Sequence, residues 1–439
     1  MKLVLFTLAL SLALPVAAES IGDQHPIFDG ANRPENINKT GDSSNEVEVL
    51  HWWTSGGEAL SVNALKEMME EKGHKWKDFA VAGRAGESAI NTLRIRALSG
   101  NPPDVAQIKG PEIQEWGTLG FLTNIDDVAE EQRWSELVPA RVSDYLKVDG
   151  HYVAAPFNIH RVNWLWANPE VFAKAGAKLP QTLDDFFVAA EKIKAAGFIP
   201  LALGSEAWQE TTLFESIALA VMGTDDFRKA FTEHNSDLLT GEKMRETLLT
   251  LRRMKLYTDA DSPGRNWSDT TSLVIEGKAA MQMMGDWAKG EFLAAKKVFG
   301  KDYVCIPAPG TANQFSFNID SFVFFKNSDP QKTASQKELA KLILDPGFQR
   351  EFNRSKGSIP VRVDIDMTSF DPCAQDAMQA FLRAATTDNL VASLSHNMAI
   401  GRASQVALFD VISRYYNNDE VDIDETMRHI RAAVLADKL

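Results

Sequence analysis

Cysteine is nearly missing from this sequence: among 439 residues only Cys305 and Cys373 carry a thiol. Two cysteines exclude a disulfide-framework domain, and their wide separation shows no metal-ligand spacing. Positive charge is also in deficit, with 46 Lys and Arg against 60 Asp and Glu, a formal charge of −14. A nucleic-acid binder needs cationic surface to displace counterions, so that class is excluded. No repeat of solenoid period is visible. GxxxxGK[ST], HExxH and CxxC are all absent, so neither a cofactor nor a metal is implied. After the first few residues no apolar run is long enough to cross a bilayer.

What remains is a large acidic globular chain, 44% apolar and 24% charged. A single core rarely grows past about 250–300 residues, so two lobes are expected. Residues 1–18 read as a secretory signal: Lys2, an apolar run from Leu3 to Leu14 broken only by Thr7 and Ser11, then Pro15-Val16-Ala17-Ala18. No cysteine follows the run, so no lipid anchor is expected there. Residues 19–45 form a polar lead-in. In an exported chain Cys305 and Cys373 meet an oxidising compartment, where they either pair or stay as two buried thiols.

Val47-Glu48-Val49-Leu50 fits a strand, and Leu60, Ala64, Leu65, Met68 and Met69 follow at helical spacing. Ile90, Leu93, Ala97 and Leu98 mark a second helix, stopped by Gly100 and Pro102-Pro103. Residues 104–108 fit a short buried strand. Thr182, with Asp185 three residues on, reads as the N-cap of a helix that Gly197 ends, before a strand over 199–203. The alternation predicts α/β layers around largely parallel sheets.

The segment His51-Trp52-Trp53-Thr54-Ser55-Gly56-Gly57-Glu58 sits between the first strand and the first helix, where open α/β sheets place ligands. Side chains alternate along a strand, so two adjacent tryptophans cannot share one face, and at least one is expected at a rim or cleft. Indole faces suit the C–H face of a sugar ring, glycines let backbone come close, and Glu58 accepts from hydroxyls. The same residues also fit a packed Trp pair beside an N-capping loop. Trp164, Trp166 and the stripe Met281, Met283 and Met284 read as core, with His160 near the cleft.

HWWTSGGE, NPPDVAQIKG, PFNIHRVNWLWANPEVF, EGKAAMQMMGDWAKGE, FNIDSF and SKGSIPVR, in that order, resemble the monosaccharide-specific branch of the periplasmic solute-binding proteins that serve ABC sugar importers, of glucose/mannose type. The resemblance implies a two-lobe α/β periplasmic binding protein fold, with hinge strands and a ligand cleft between lobes. The lobes would span 46–157 plus 306–344 and 158–305 plus 345–439, with crossings near 156–158, 305–307 and 344–347. Carried over by position, the sugar-binding residues are Trp52, Trp53, Glu58, Lys109, Trp287, Asn318, Asp320, Lys356 and His396. Asp286 accompanies Trp287 in the GDW turn. The implied protein is a periplasmic monomer, not an enzyme, that captures glucose (or galactose or mannose) by hinge closure and delivers it to the membrane permease.

Two other readings use the same residues. A receptor for disaccharides or longer glycans would keep the cleft open to chain extension. A secreted glycoside hydrolase would use Glu58, Asp286 or Asp320 as acid and nucleophile; Lys109 and Lys356 argue against it, since nearby cations oppose the raised pKa a catalytic acid needs.

Overall fold

The first strand, β1 (Glu46–His51), buries Val47 and Val49 and sits inside a sheet with β2 (Lys75–Ala80), β3 (Val105–Ile108), β6 (Ala154–Pro156) and β13 (Ser321–Phe324), in the order β2-β1-β3-β13-β6. Residues 45–83 and 86–436 are described in this computed structural model. The expected export signal, and the lead-in up to residue 44, lie outside them. A second sheet, in the order β11-β8-β10-β9, contains β8 (Trp164–Ala167), β9 (Ile199–Leu201), β10 (Ala279–Met283) and β11 (Val304–Pro307). A third sheet, in the order β14-β12-β7, is made of β7 (His160–Arg161) and β12 (Phe315–Asn318), which lie in the chain between strands of the first two, and β14 (Leu390–Ala392), which follows them all. A small hairpin pairs β4 (Lys147–Val148) with β5 (His151–Tyr152).

The local signals act as read. The helix Gly56–Glu71 follows β1, and the helix Glu87–Leu98 precedes β3. Thr182 caps the helix Leu183–Ala195 in a reciprocal box with Asp185. Trp164, Trp166, Met281, Met283 and Met284 are all buried.

The sheets are mixed rather than largely parallel. β1 runs parallel to β2 and β3, but β13 is antiparallel to both β3 and β6. In the second sheet β8 is antiparallel to β10 and β11. The cause is the route of the chain: β6, β8, β11 and β13 flank passages between sheets, so no helical crossover forces them parallel.

Two passages run straight through the third sheet, β6 to β7 to β8 and β11 to β12 to β13. The expected boundary at 305/306 falls inside β11, which belongs to the second sheet through its pairing with β8. The expected boundary at 344/345 precedes the helix Pro346–Lys356, which packs on the helix Gly56–Glu71 of the first sheet. We propose lobe boundaries after Pro307 and after Lys356 instead. Ile359 then bridges to Ile159 beside the first passage, and the chain reaches β14 through the helix Pro372–Thr386.

Cys305, on β11, and Cys373, in the first turn of the helix Pro372–Thr386, form a disulfide across 68 residues. It fastens β11, at the edge of the second sheet, to the helix that leads into β14. Replacing both cysteines by serine should lower unfolding stability by about 2–4 kcal/mol, the usual effect of freeing a loop of this size. Urea unfolding of the double variant checks this, and an unchanged midpoint would show the bond to be energetically idle.

Candidate functional site

The turn Trp52–Ser55 leaves the carboxyl end of β1 and enters the helix Gly56–Glu71 through a capping box: the Ser55 hydroxyl accepts from the Glu58 N–H, and the Glu58 carboxylate accepts from the Ser55 N–H. The N-capping loop of the sequence reading is thus present, and Glu58, capping with Oε2, also reaches Lys356 Nζ with Oε1 at 3.0 Å. The two tryptophans part as strand alternation requires. Trp53 is 2% exposed and packs against Phe157, Phe322 and Phe352. Trp52 is only partly buried, with Lys109 Nζ 5.0 Å from its ring centre. Gly86, at φ 96°, lies under the Trp52 ring so closely that a Cβ would sit 2.7 Å from it.

His160, on β7, stands between two carboxylates. Its Nδ1 bonds Asp286, and its Nε2 lies 2.9 Å from Asp320 Oδ2. Asp286 follows β10 of the second sheet and also accepts from the Arg161 N–H, while Asp320 precedes β13 of the first. Asp320 further accepts from Gln107 and Asn158 side chains, and Lys109 Nζ lies 3.8 Å from its Oδ1. Burial opposes the charged form of each group whose pKa shifts here; the partners outweigh it at His160, Asp320 and Lys356, and burial prevails at Lys109 and His396. For His160, burial disfavours the cation but the Asp286 and Asp320 carboxylates outweigh it, raising its pKa. Burial would raise the Asp320 pKa, yet His160 and Lys109 hold it far below the usual carboxylate range. Burial lowers the Lys109 pKa against the pull of Asp320, whereas Glu58 and Asp320 overcome burial and raise that of Lys356. His396 is driven well below the ordinary imidazole value, by burial first and then by Lys109 and His160, so it is neutral at neutral pH.

These groups enclose a cavity of about 320 Å³. All nine residues singled out in the sequence line it, Trp53 by little more than its edge. Trp287 is 6% exposed, with its ring edge-on to His160 at 5.2 Å and to His396 at 4.6 Å. Asp286 does not line it; its carboxylate is spent on His160 and the Arg161 backbone. Asn318 Oδ1 and His396 Nε2 are buried with no hydrogen-bond partner. Among the described residues no cluster could hold a metal ion.

The sequence reading missed Glu206, Trp208, Asn266, Trp267 and Ser268 on the cavity wall. Trp208 and Trp267 each lie in the first turn of a helix, Ala207–Phe231 and Trp267–Ile275. A tryptophan at a helix start resembles core in a periodicity count. The usable signal was position, since the first of these helices begins just past the carboxyl end of β9.

The model of the family described as bacterial extracellular solute-binding protein matches residues 52–349. A probable sugar-binding periplasmic protein of Rhizobium meliloti (strain 1021) is 41% identical over 396 residues, covering 90% of this chain and 95% of its own. Among solved structures, a chitin oligosaccharide binding protein aligns with a TM-score of 0.76 at 16% identity, over 89% of this chain and 98% of its own. The bacterial solute receptor AcbH, described as exclusive for β-D-galactopyranose, aligns at 0.74 with 16% identity, over 89% and 97%. These likenesses fix a two-lobe α/β fold.

The His160 cluster predicts a pH signature. Its folded pKa is raised, so its stabilisation is complete below the ordinary value of about 6.5 and is lost as pH rises through the folded value. The urea midpoint of the wild type should therefore fall, relative to His160→Gln, between neutral and alkaline pH. Parallel curves for the two proteins would remove the charged sandwich. Asp320 has the opposite sign: its contribution is complete above about pH 4 and is lost progressively as pH falls further, so the urea midpoints of wild type and Asp320→Asn should differ most near neutral pH and converge in acid.

Proposed function

Because the chain belongs to the bacterial extracellular solute-binding protein family, we infer that it is the periplasmic sugar-binding component of an ABC transporter and that its cavity takes one hexose, glucose by preference. The sugar bridges the lobes, favours their closed arrangement through contacts made by both, and is handed to the membrane permease.

One observation carries this reading: indole faces and self-paired charges converge on a cavity of about 320 Å³. That volume is at the small end of ligand pockets, roughly 300–1,000 Å³. A pyranose presents hydroxyls that donate and accept at once, and C–H faces that prefer aromatic rings. The cavity offers the complement of each. Glu58 and Asp320 accept, Lys109 and Lys356 donate, and Asn318 Oδ1 and neutral His396 lack partners until a ligand arrives. Trp52 and Trp287 supply ring faces from the first and second sheets.

The hydrolase reading loses its acid. Asp320 is held ionised, and Glu58 is tied to Lys356 and to its own helix cap. The oligosaccharide reading keeps one point in favour, since the wall at Ala82, Gly83 and Asn266 is exposed.

Calorimetric titration with glucose, galactose, mannose, xylose and maltose tests the proposal. Glucose should bind most tightly, and Trp52→Ala or Asp320→Asn should each weaken binding by about 1–3 kcal/mol, the scale of a lost ring contact or charged hydrogen bond. Tighter binding of maltose would make it an oligosaccharide receptor. No binding of any sugar would end the reading.

A further inference from the structure

Glu215 is a buried carboxylate that the cavity does not use. It lies on the long helix Ala207–Phe231, 1% exposed, and among the described residues no cation pairs with it. Four donors converge on it instead. Ser316 Oγ donates to its Oε1, while Ser393 Oγ (2.9 Å), the Ser395 N–H (2.8 Å) and Ser395 Oγ (2.6 Å) donate to its Oε2. Burying a carboxylate without a counter-charge is costly: burial raises the Glu215 pKa, and the four donors oppose that rise.

The donors belong to the two segments that present the cavity's partnerless groups. Ser316 lies two residues before Asn318 on β12, so both side chains leave the strand on the same face. Ser395 immediately precedes His396. The turn after β14 is closed further by Met398 and Ala399 N–H groups donating to the Ser393 carbonyl, and by Gln405 donating to the Ser395 carbonyl. Thr212, one helical turn before Glu215, adds a hydroxyl to Ser395 Oγ at 3.1 Å. One carboxylate thus ties the long helix, β12 and the His396 turn together, at a place that touches no ligand.

We propose that Glu215 is a positioning residue for the binding site: through Ser395 and Ser316 it sets where His396 and Asn318 point their free hydrogen-bonding atoms. Replacing it by glutamine turns one acceptor oxygen into a donor facing serine donors, so the turn must rearrange. Glu210 is the natural control. It is buried on the same helix but bonds Asn417, away from the cavity.

The proposal rests on the sugar-receptor reading, and its test separates the two. Glu215→Gln should weaken glucose binding about tenfold, whereas Glu210→Gln should bind as the wild type. In a His396→Ala background the Glu215→Gln loss should shrink to about twofold, because the effect travels through His396. In sugar-free protein, the imidazole NMR signals of His396 should shift in Glu215→Gln and stay in place in Glu210→Gln. Unmoved His396 signals, or a tenfold loss undiminished without His396, would overturn the proposal. If the wild type binds no sugar, the receptor reading fails while the NMR comparison still decides the positioning role. Ser395→Ala, which removes one donor and keeps the carboxylate, carries the same comparison if Glu215→Gln does not fold.

Discussion

The site depends on an imidazolium held between carboxylates from two different sheets. Asp286 comes from the end of β10, Asp320 from the start of β13, and His160 from the short strand between them. Two carboxylates so close in a buried place would repel, and one would take up a proton. The positive ring between them holds Asp320 ionised and fixes the spacing of their sheets at that point. From there the order of the site follows. Asp320, kept charged, draws in Lys109 and turns toward the cavity, while Asp286, consumed by the ring and the Arg161 backbone, does not.

Around that pin the sheets meet through backbone as much as through side chains. A Cβ on Gly57 would come within 3.0 Å of the Gly290 backbone, and the Gly57 N–H bonds Glu291 Oε1 at 3.3 Å. A second approach is closer still. Gly110, at φ 54°, leaves no room for a Cβ against the Asn397 carbonyl, and Asn397 in turn reaches Glu112. These contacts bring the segments after β1 and β3 against those after β10 and β14. Such contacts are available only while the sheets are near one another, which makes them the natural complement of a bound ligand.

Much of this was legible in the chain because it is encoded locally. Ser55 with Glu58, and Thr182 with Asp185, announce their helix starts, and strand alternation separates Trp52 from Trp53 without any knowledge of the fold. The nine candidate residues came from a resemblance and now lie on one cavity wall. What was hidden depends on long-range packing. The helix Pro346–Lys356 has an ordinary amphipathic pattern, and nothing in it says that it lies on the helix Gly56–Glu71, a packing that the expected boundary at 344/345 did not anticipate. Trp208 and Trp267 look like core until the cavity is closed around them. Glu215 looks like a helix-surface residue, because its donors arrive from more than 90 residues away.

The charge balance of the cavity bears on what it can hold. Among the residues that line it, Glu58, Glu206 and Asp320 face Lys109, Lys356 and His160, three of each sign, and every one of the six is at least partly buried. A site for an anion or a cation would carry an excess of the opposite sign, to be neutralised on binding. Here the charges are already matched, so a neutral ligand can displace water without leaving net charge in a low-dielectric place. The paired groups still line the cavity, as donors and acceptors strengthened by their charge. Matched charges with indole walls favour a neutral, hydroxyl-rich molecule over a carboxylate or an amine.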